Sequence, residues 1–326
     1  MYHRISEPHT DPFALCVTPA HFAKHLDVIR RDAKPLSLTE MADCVRRGRI
    51  PDRSVAITFD DGYADNLHNA KPLLEDRGMP ATVFVTTGSV GRRREFWWDE
   101  LQRILLTPER LPETLELNIQ DRTNRWELGE AAQLTDEELR RNRRWRAGDD
   151  APTRRHSLYL EIWRLLSQVP EADRMCTIEA LAVWSGSTAP REMYLPMQPD
   201  QVAALAEGGL VEIGAHSVTH PSLRDLPEGL QRLEIIGSRD RLEQILGSKV
   251  TSFAYPYGAL SADTPVIART AGFERACTTV ARAVEEDADC FRLPRVQVDD
   301  WDEREFSGRL AGWFTRDMKL GQRSIH

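Results

Sequence analysis

Two adjacent carboxylates, Asp60 and Asp61, stand in the stretch Thr58-Phe59-Asp60-Asp61-Gly62, directly after the apolar run Val55-Ala56-Ile57. Like charges at the exit of a buried strand resist joint ionisation. A bound cation removes the conflict by taking one carboxylate as a ligand and leaving the other as a base. Far along the chain, His216-Ser217-Val218-Thr219-His220-Pro221 follows a second apolar stretch, residues 211–215. Two imidazoles four residues apart reach one point if the turn between them is helical. With a carboxylate they make a three-ligand metal site with open positions, which is the pattern of catalytic centres. Imidazole and carboxylate suit Zn²⁺ first, with Co²⁺, Ni²⁺ and Fe²⁺ as alternatives. On its own, H-x-x-x-H is equally a pair of surface or helix-capping histidines.

The elements that must position these groups alternate between strand and helix. Strand patterns fall at 2–5, 54–59, 81–86, 211–215, 250–254, 276–280 and 293–298. Between them lie helix patterns at 19–31, after the capping-box spacing Ser37-Leu38-Thr39-Glu40, at 66–77 before Gly78, and at 198–208, 226–246 and 261–271. A last helix pattern at 303–318 carries Phe306, Leu310, Trp313 and Phe314 on one face, suited to packing on the domain or to touching a membrane surface. Repeated βα units predict a parallel α/β architecture. The candidate site residues, His3, Asp60, Asp61, His216, Tyr257 and Arg295, all follow strands. That placement favours a parallel barrel over an open doubly wound sheet, since barrel chemistry sits at the C-terminal strand ends. No G-x-G-x-x-G follows the early strands, which argues against a dinucleotide fold. Residues 91–195 are polar, rich in Arg and Trp, and mostly helical in pattern. They read as a helical insertion, a lid or substrate wall, set into a barrel formed by 1–90 and 196–326.

Composition narrows the classes. The 326 residues are 41% hydrophobic and 29% charged, as in a soluble globular protein. A net charge of −8 excludes a general nucleic-acid binder. No apolar run approaches the ~20 residues of a transmembrane helix. Met1-Tyr2-His3-Arg4 lacks the apolar core of a secretory signal, so the expected location is cytoplasmic. Cys16, Cys44, Cys176, Cys277 and Cys290 are scattered, which argues against a disulfide framework or a cysteine-based zinc site.

In order, Thr58-Phe59-Asp60-Asp61-Gly62, His216-Ser217-x-x-His220-Pro221 and Phe253-Ala254-Tyr255-Pro256-Tyr257-Gly258 resemble the first three motifs of the polysaccharide deacetylases. These are carbohydrate esterase family 4, built on the NodB homology domain. The resemblance covers about residues 1–90 and 195–300. It implies a metal-dependent hydrolase on a distorted parallel (β/α)7-type barrel that removes an N-acetyl group from an amino sugar, oligosaccharide or glycan precursor. By position it implies Asp60 as base, Asp61, His216 and His220 as metal ligands, and Tyr257 as the residue whose backbone N–H meets the oxyanion.

Three departures from the family pattern matter. The third motif's customary Arg is Ala254 here; Arg295 is a candidate replacement, with Asp300 as its partner, and a merely structural ion pair is the alternative. The late Leu-x-x-His motif that supplies the acid is absent, and His326 ends the chain. Tyr2-His3-Arg4-Ile5 resembles the N-terminal signature of a rearranged subgroup, which implies His3 as general acid. The insertion parts the two metal motifs, and its Phe96-Trp97-Trp98 suits either a sugar ring or a structural anchor. Two other readings stand beside a sugar deacetylase. One is a hydrolase of ring amides or formamides on the same barrel; the other is an inactive carbohydrate-binding relative, motivated by Ala254.

Overall fold

The computed structural model describes residues 1–120 and 122–315; Met318 and His326 lie outside them. The chain divides into two compact units. Of the described residues, one comprises Met1–Glu7, Leu15–Arg92 and 196–315; the other comprises Pro8–Ala14 and Arg93–Leu195.

The first unit is a ring of parallel staves. Strands Ile57–Phe59, Ala81–Val85, Val211–Ala215, Ser252–Ala254 and Arg275–Cys277 form a continuous parallel sheet in that order. Two further segments complete the circuit. Tyr2 bridges in parallel to Phe59, and Leu293 to Cys277. The Met1 nitrogen donates to the Val296 carbonyl at 2.8 Å, and Val298 N–H donates back to the Met1 carbonyl at 2.9 Å. The hydrogen bonds therefore run around seven staves.

Alternation along each stave sorts side chains to two sides. Ile57, Phe59, Val83, Val85, Ile213, Ala215, Phe253 and Ala276 join the large core shared with the flanking helices. Phe84, Ala254, Cys277 and Leu293 form a second, inner cluster with Leu38, Ala42 and Val45. Below that cluster lies a polar layer: Glu212 accepts from Ser252 Oγ, from Thr39 Oγ1 at 3.0 Å and from the buried Arg275 at 3.3 Å. Above it, at the C-terminal strand ends, sit the carboxylates and imidazoles.

The helices form where the sequence signals place them. Pro19–Asp32 starts after Thr18, whose hydroxyl accepts from His21 N–H, and buries Phe22, Leu26 and Ile29. Leu38–Arg46 has both bonds of the Ser37/Glu40 capping box. Lys71–Arg77 ends at Gly78 in the left-handed conformation. Phe306 and Leu310 of Glu303–Phe314 are buried, with Phe306 stacked 4.1 Å from His25, so that face packs inward. Among the described residues, no helix is long and apolar enough to cross a membrane.

The second unit corrects the expectation of a mostly helical insertion in one respect. Thr114–Ile119 and Arg122–Glu127 pair as an antiparallel hairpin. Its first strand alternates exposed and buried, with Leu115, Leu117 and Ile119 inward, a period-two pattern that was present in the sequence. Phe96, Trp97 and Trp98 are all buried in this unit; Phe96 stacks on Trp98 at 4.8 Å and Arg174 covers Trp97. They anchor their own unit rather than presenting a face to a sugar.

Candidate active site

Asp60 leaves the strand Ile57–Phe59 with its N–H held by the Tyr2 carbonyl at 3.0 Å. Asp61 then turns into the left-handed region at φ 76° and Gly62 follows at φ 85°. A Cβ on Gly62 would stand 3.0 Å from Val85, so glycine is needed there. This turn separates the two carboxylates: Asp60 faces Arg295 and Asp61 faces the histidines.

The histidine loop follows the strand Val211–Ala215. His216 N–H bonds to the Val85 carbonyl at 3.0 Å, and its Nδ1–H donates to the Ala254 carbonyl at 2.8 Å. That bond fixes the tautomer and leaves the Nε2 lone pair aimed at the carboxylates. His216 Nε2 lies 3.6 Å from Asp61 Oδ1, and His220 Nε2 lies 3.4 Å from the same oxygen. Two ligands each about 2.1 Å from a tetrahedral ion lie about 3.4 Å apart, so these separations fit a shared cation. All three residues are buried, and one ligand atom from each lies within 4.8 Å of the others. Burial pushes the His216 imidazolium below its usual pKa, partly opposed by Asp60, so its Nε2 offers a lone pair rather than a proton. The donor set fits a borderline divalent cation.

Arg295 answers the missing motif Arg. Its Nη1 and Nη2 grip Asp60 Oδ1 and Oδ2 at 2.6 and 2.7 Å. Its Nε donates to the Thr278 carbonyl at 2.9 Å, and Nη1 also reaches Thr58 Oγ1 at 3.2 Å. Burial alone would raise the Asp60 carboxyl, but Arg295 and His216 together hold it below the usual carboxylate range. The proposed partner Asp300 is a correction. It is exposed, accepts from Thr18 N–H at 2.8 Å and pairs with His21 at 2.8 Å, away from Arg295. With the guanidinium restored from another stave, Ala254 no longer argues for an inactive barrel.

His3 joins the same cluster. It is partly exposed, and its carbonyl accepts from Asn66 Nδ2 at 2.9 Å. Burial pushes its imidazolium down to about 4, with Arg295 and His216 acting the same way and Asp60 opposing. It is therefore neutral at pH 7. Tyr257 takes a left-handed conformation, φ 58°, and its ring meets His220 edge-on at 4.6 Å. Its carbonyl accepts from Thr279 Oγ1 at 3.1 Å.

Four non-glycine residues with positive φ, Asp61, Ser217, His220 and Tyr257, thus meet at one site. Each costs on the order of 1–3 kcal/mol, and such strain gathers where surrounding contacts over-determine the backbone. Sequence reasoning gave no hint of that strain. It also missed Thr58, which completes the Arg295 cradle from the strand carrying the carboxylates; its inward parity with Asp60 was the available signal.

Comparison with known proteins bears on this arrangement. A family model described as polysaccharide deacetylase matches residues 47–110 and 177–276. A Bacillus subtilis (strain 168) protein named as a polysaccharide deacetylase, YxkH, is 30% identical over 106 residues, 32% of this chain and 37% of that protein. A poly-beta-1,6-N-acetyl-D-glucosamine N-deacetylase of Staphylococcus aureus (strain MSSA476) is 45% identical over 60 residues, 18% of this chain and 21% of that protein. The chain thus matches well under half the length of either relative. The solved structure of IcaB from Ammonifex degensii is 20% identical, with a TM-score of 0.58 over 96% of this chain and 94% of that one, so the fold is shared.

Proposed function

The chain belongs to the polysaccharide deacetylase family, and from that premise we propose that it is a divalent-metal-dependent hydrolase that removes the N-acetyl group from an amino sugar within a glycan. The observation that carries this reading is the buried Asp61/His216/His220 triad beside an Asp60 clamped by Arg295. Asp61, His216 and His220 would hold the ion, with Zn²⁺ as the proposed identity. A bound cation of this kind supplies a Lewis acid that polarises the amide carbonyl and acidifies a water.

The remaining roles fall to the chain. Asp60 is fixed in orientation by two bonds from Arg295 and takes the proton of the attacking water. A water O–H bond breaks as the new C–O bond forms. The Tyr257 backbone N–H, in a residue whose ring meets His220, would serve as donor to the oxygen that gains charge. The C–N bond then breaks, and the leaving nitrogen takes a proton from His3. Because His3 is neutral at pH 7, that proton reaches it during turnover, from Asp60, whose charge already perturbs the imidazole. The products are acetate and the free amine. Support for a sugar amide as substrate comes from the staphylococcal relative's name, a poly-beta-1,6-N-acetyl-D-glucosamine N-deacetylase.

The test is acetate release from N-acetylglucosamine oligomers by metal-loaded protein, with a ring amide as counter-substrate. Asp60→Asn is expected to keep the metal and lose at least about 10²-fold in rate, the low end for a general base. His216→Ala is expected to lose metal and activity together. His3→Gln is expected to lower kcat with metal content unchanged. Protein that holds no divalent ion and ignores chelators, or that opens only the ring amide, overturns the proposal.

A further inference from the structure

One carboxylate outside the reaction just described closes directly on the metal loop. Glu234 lies on the helix Glu228–Leu246, half-buried. Its Oε2 accepts from both Val218 N–H and Thr219 N–H at 2.8 Å, and its Oε1 accepts from Thr219 Oγ1 at 2.7 Å. Among the described residues, no Lys or Arg pairs with it, so the loop donors meet its charge. One helical turn on, Gly237 clears the approach: a Cβ there would come within 3.2 Å of the Val218 side chain.

The loop it holds is one that would relax if released. Ser217 and His220 both sit at positive φ, 62° and 58°. The opposite side of the loop is tied by backbone bonds, from Thr87 N–H to the Ser217 carbonyl at 3.1 Å and from Gly88 N–H to the Val218 carbonyl at 2.8 Å. Within the loop, His220 N–H reaches Ser217 Oγ at 3.0 Å. Val218 and Thr219 are the two residues between these tethers and His220, and Glu234 supplies their N–H partner. Without it, the N–H groups of Val218 and Thr219 lose this acceptor, and the turn that aims His220 at Asp61 is held by fewer bonds.

We propose that Glu234 is a positioning residue for the metal centre: by clamping Val218 and Thr219 it holds His216 and His220 in register with Asp61 and so sets the affinity for the divalent ion. The inference rests on the metal-site reading above. A glutamine keeps the shape but not the charge: its oxygen can meet the two N–H groups only as a neutral acceptor, and its N–H₂ is satisfied only if the Thr219 hydroxyl turns round to accept.

The experiment measures metal binding rather than turnover. Chelator-stripped protein is titrated with Zn²⁺ against a chromophoric competitor, and with Co²⁺ by absorption; the melting temperature of the stripped protein is recorded in parallel. Glu234→Gln is expected to weaken Zn²⁺ binding about 10- to 100-fold, the usual cost of losing an outer-shell partner, and to shift the Co²⁺ bands. Thr219→Val removes one of the three bonds and is expected to weaken binding less. Glu228→Gln, exposed on the same helix and paired with Arg232, is expected to leave affinity unchanged. A Glu234→Gln protein with a lowered melting temperature but wild-type affinity has lost only a structural bond, and that result overturns the proposal. If Glu234→Gln does not fold, Thr219→Val decides, and unchanged affinity there overturns it too. Wild-type protein that binds neither ion brings down the metal reading and this inference with it. Wild-type binding matched by Glu234→Gln brings down this inference alone.

Discussion

Replacing Arg295 by Met tests the charge logic of the site most directly. Asp60 and Arg295 are both buried, with side-chain exposures of 3% and 6%. Removing the guanidinium leaves a carboxylate with no cation, and breaking one partner of a buried pair costs about 3–5 kcal/mol. A second route bounds the same number. The variant escapes by protonating Asp60, and loading a proton onto a carboxyl of ordinary pKa ~3.9 costs about 4 kcal/mol at pH 7. The two routes agree, so the expected loss in metal-free protein at pH 7 is about 4 kcal/mol. The sign with pH follows. In the wild type the Asp60 carboxyl is held below its unfolded value, so its contribution is complete above the unfolded pKa and is lost only as pH falls through the folded one. In Arg295→Met burial dominates and lifts the same carboxyl above its unfolded value, so the variant gains stability as pH falls. The gap between the two proteins should narrow from pH 7 to pH 4.5. Urea unfolding with chelator present, followed by circular dichroism at both pH values, reads this out; the titration of His25, which does not feel Arg295, cancels in the difference, whereas losing the guanidinium lifts His3 and His216 and narrows the gap in the same direction. A gap equal at the two pH values assigns the loss to packing and refutes the argument. Asp60→Asn combined with Arg295→Met should recover most of the stability, since neither charge is then stranded.

Two further outcomes follow from the fold. His25 is fully buried, bonded through Nε2 to the Trp301 carbonyl at 2.7 Å, and burial pushes it from 6.5 down to about 4. A histidine kept neutral in the fold contributes stability above its unfolded pKa that is lost as pH falls, here about 3 kcal/mol by pH 4. His25→Gln should therefore flatten the stability profile between pH 6.5 and 4, and an unchanged slope in pH-dependent unfolding would show that His25 is not the titrating group. Gly258 sits at φ +65°, where a Cβ would stand 2.7 Å from the Thr279 nitrogen. Gly258→Ala should cost more than about 1 kcal/mol in unfolding assays and lower kcat, because Tyr257 turns with it; a neutral variant would mean that the turn is free to move.

The parts of the site legible in the sequence are those whose geometry is local. Asp60 and Asp61 declare themselves by following an apolar run, and His216 and His220 by their spacing after another. Parallel staves then bring the pairs together without further instruction. What spacing does not carry is which distant group faces which. Asp300 stands close to Arg295 in sequence, yet it serves Thr18 and His21, because it lies past the stave's end while Arg295 points inward. The grip of Glu234 on residues 218 and 219 likewise depends on how a helix lies against a loop, which no periodicity reports.

A small residue at 254 suits the packing around it. Phe84 projects into the barrel one layer below the carboxylates, and its ring occupies the space a Cβ on Gly214 would need. Ala254, on the next stave, joins the same inner cluster. One large ring facing two small neighbours fills a layer that cannot also hold an arginine stem at 254. The guanidinium must then come from across the ring. The circuit closes through Met1 and Val296, which sets stave 293–298 only two places from the strand that ends at Asp60. Arg295 reaches Asp60 from there and passes over the face of Phe84 at 5.4 Å, so the ring that fills the layer beside Ala254 also lies against the guanidinium that clamps Asp60. The triple replacement, Ala254→Arg with Phe84→Ala and Arg295→Met, should therefore recover the Asp60 clamp that Arg295→Met alone loses. Ala254→Arg in the presence of Phe84 should not, and a recovery there would refute the packing argument.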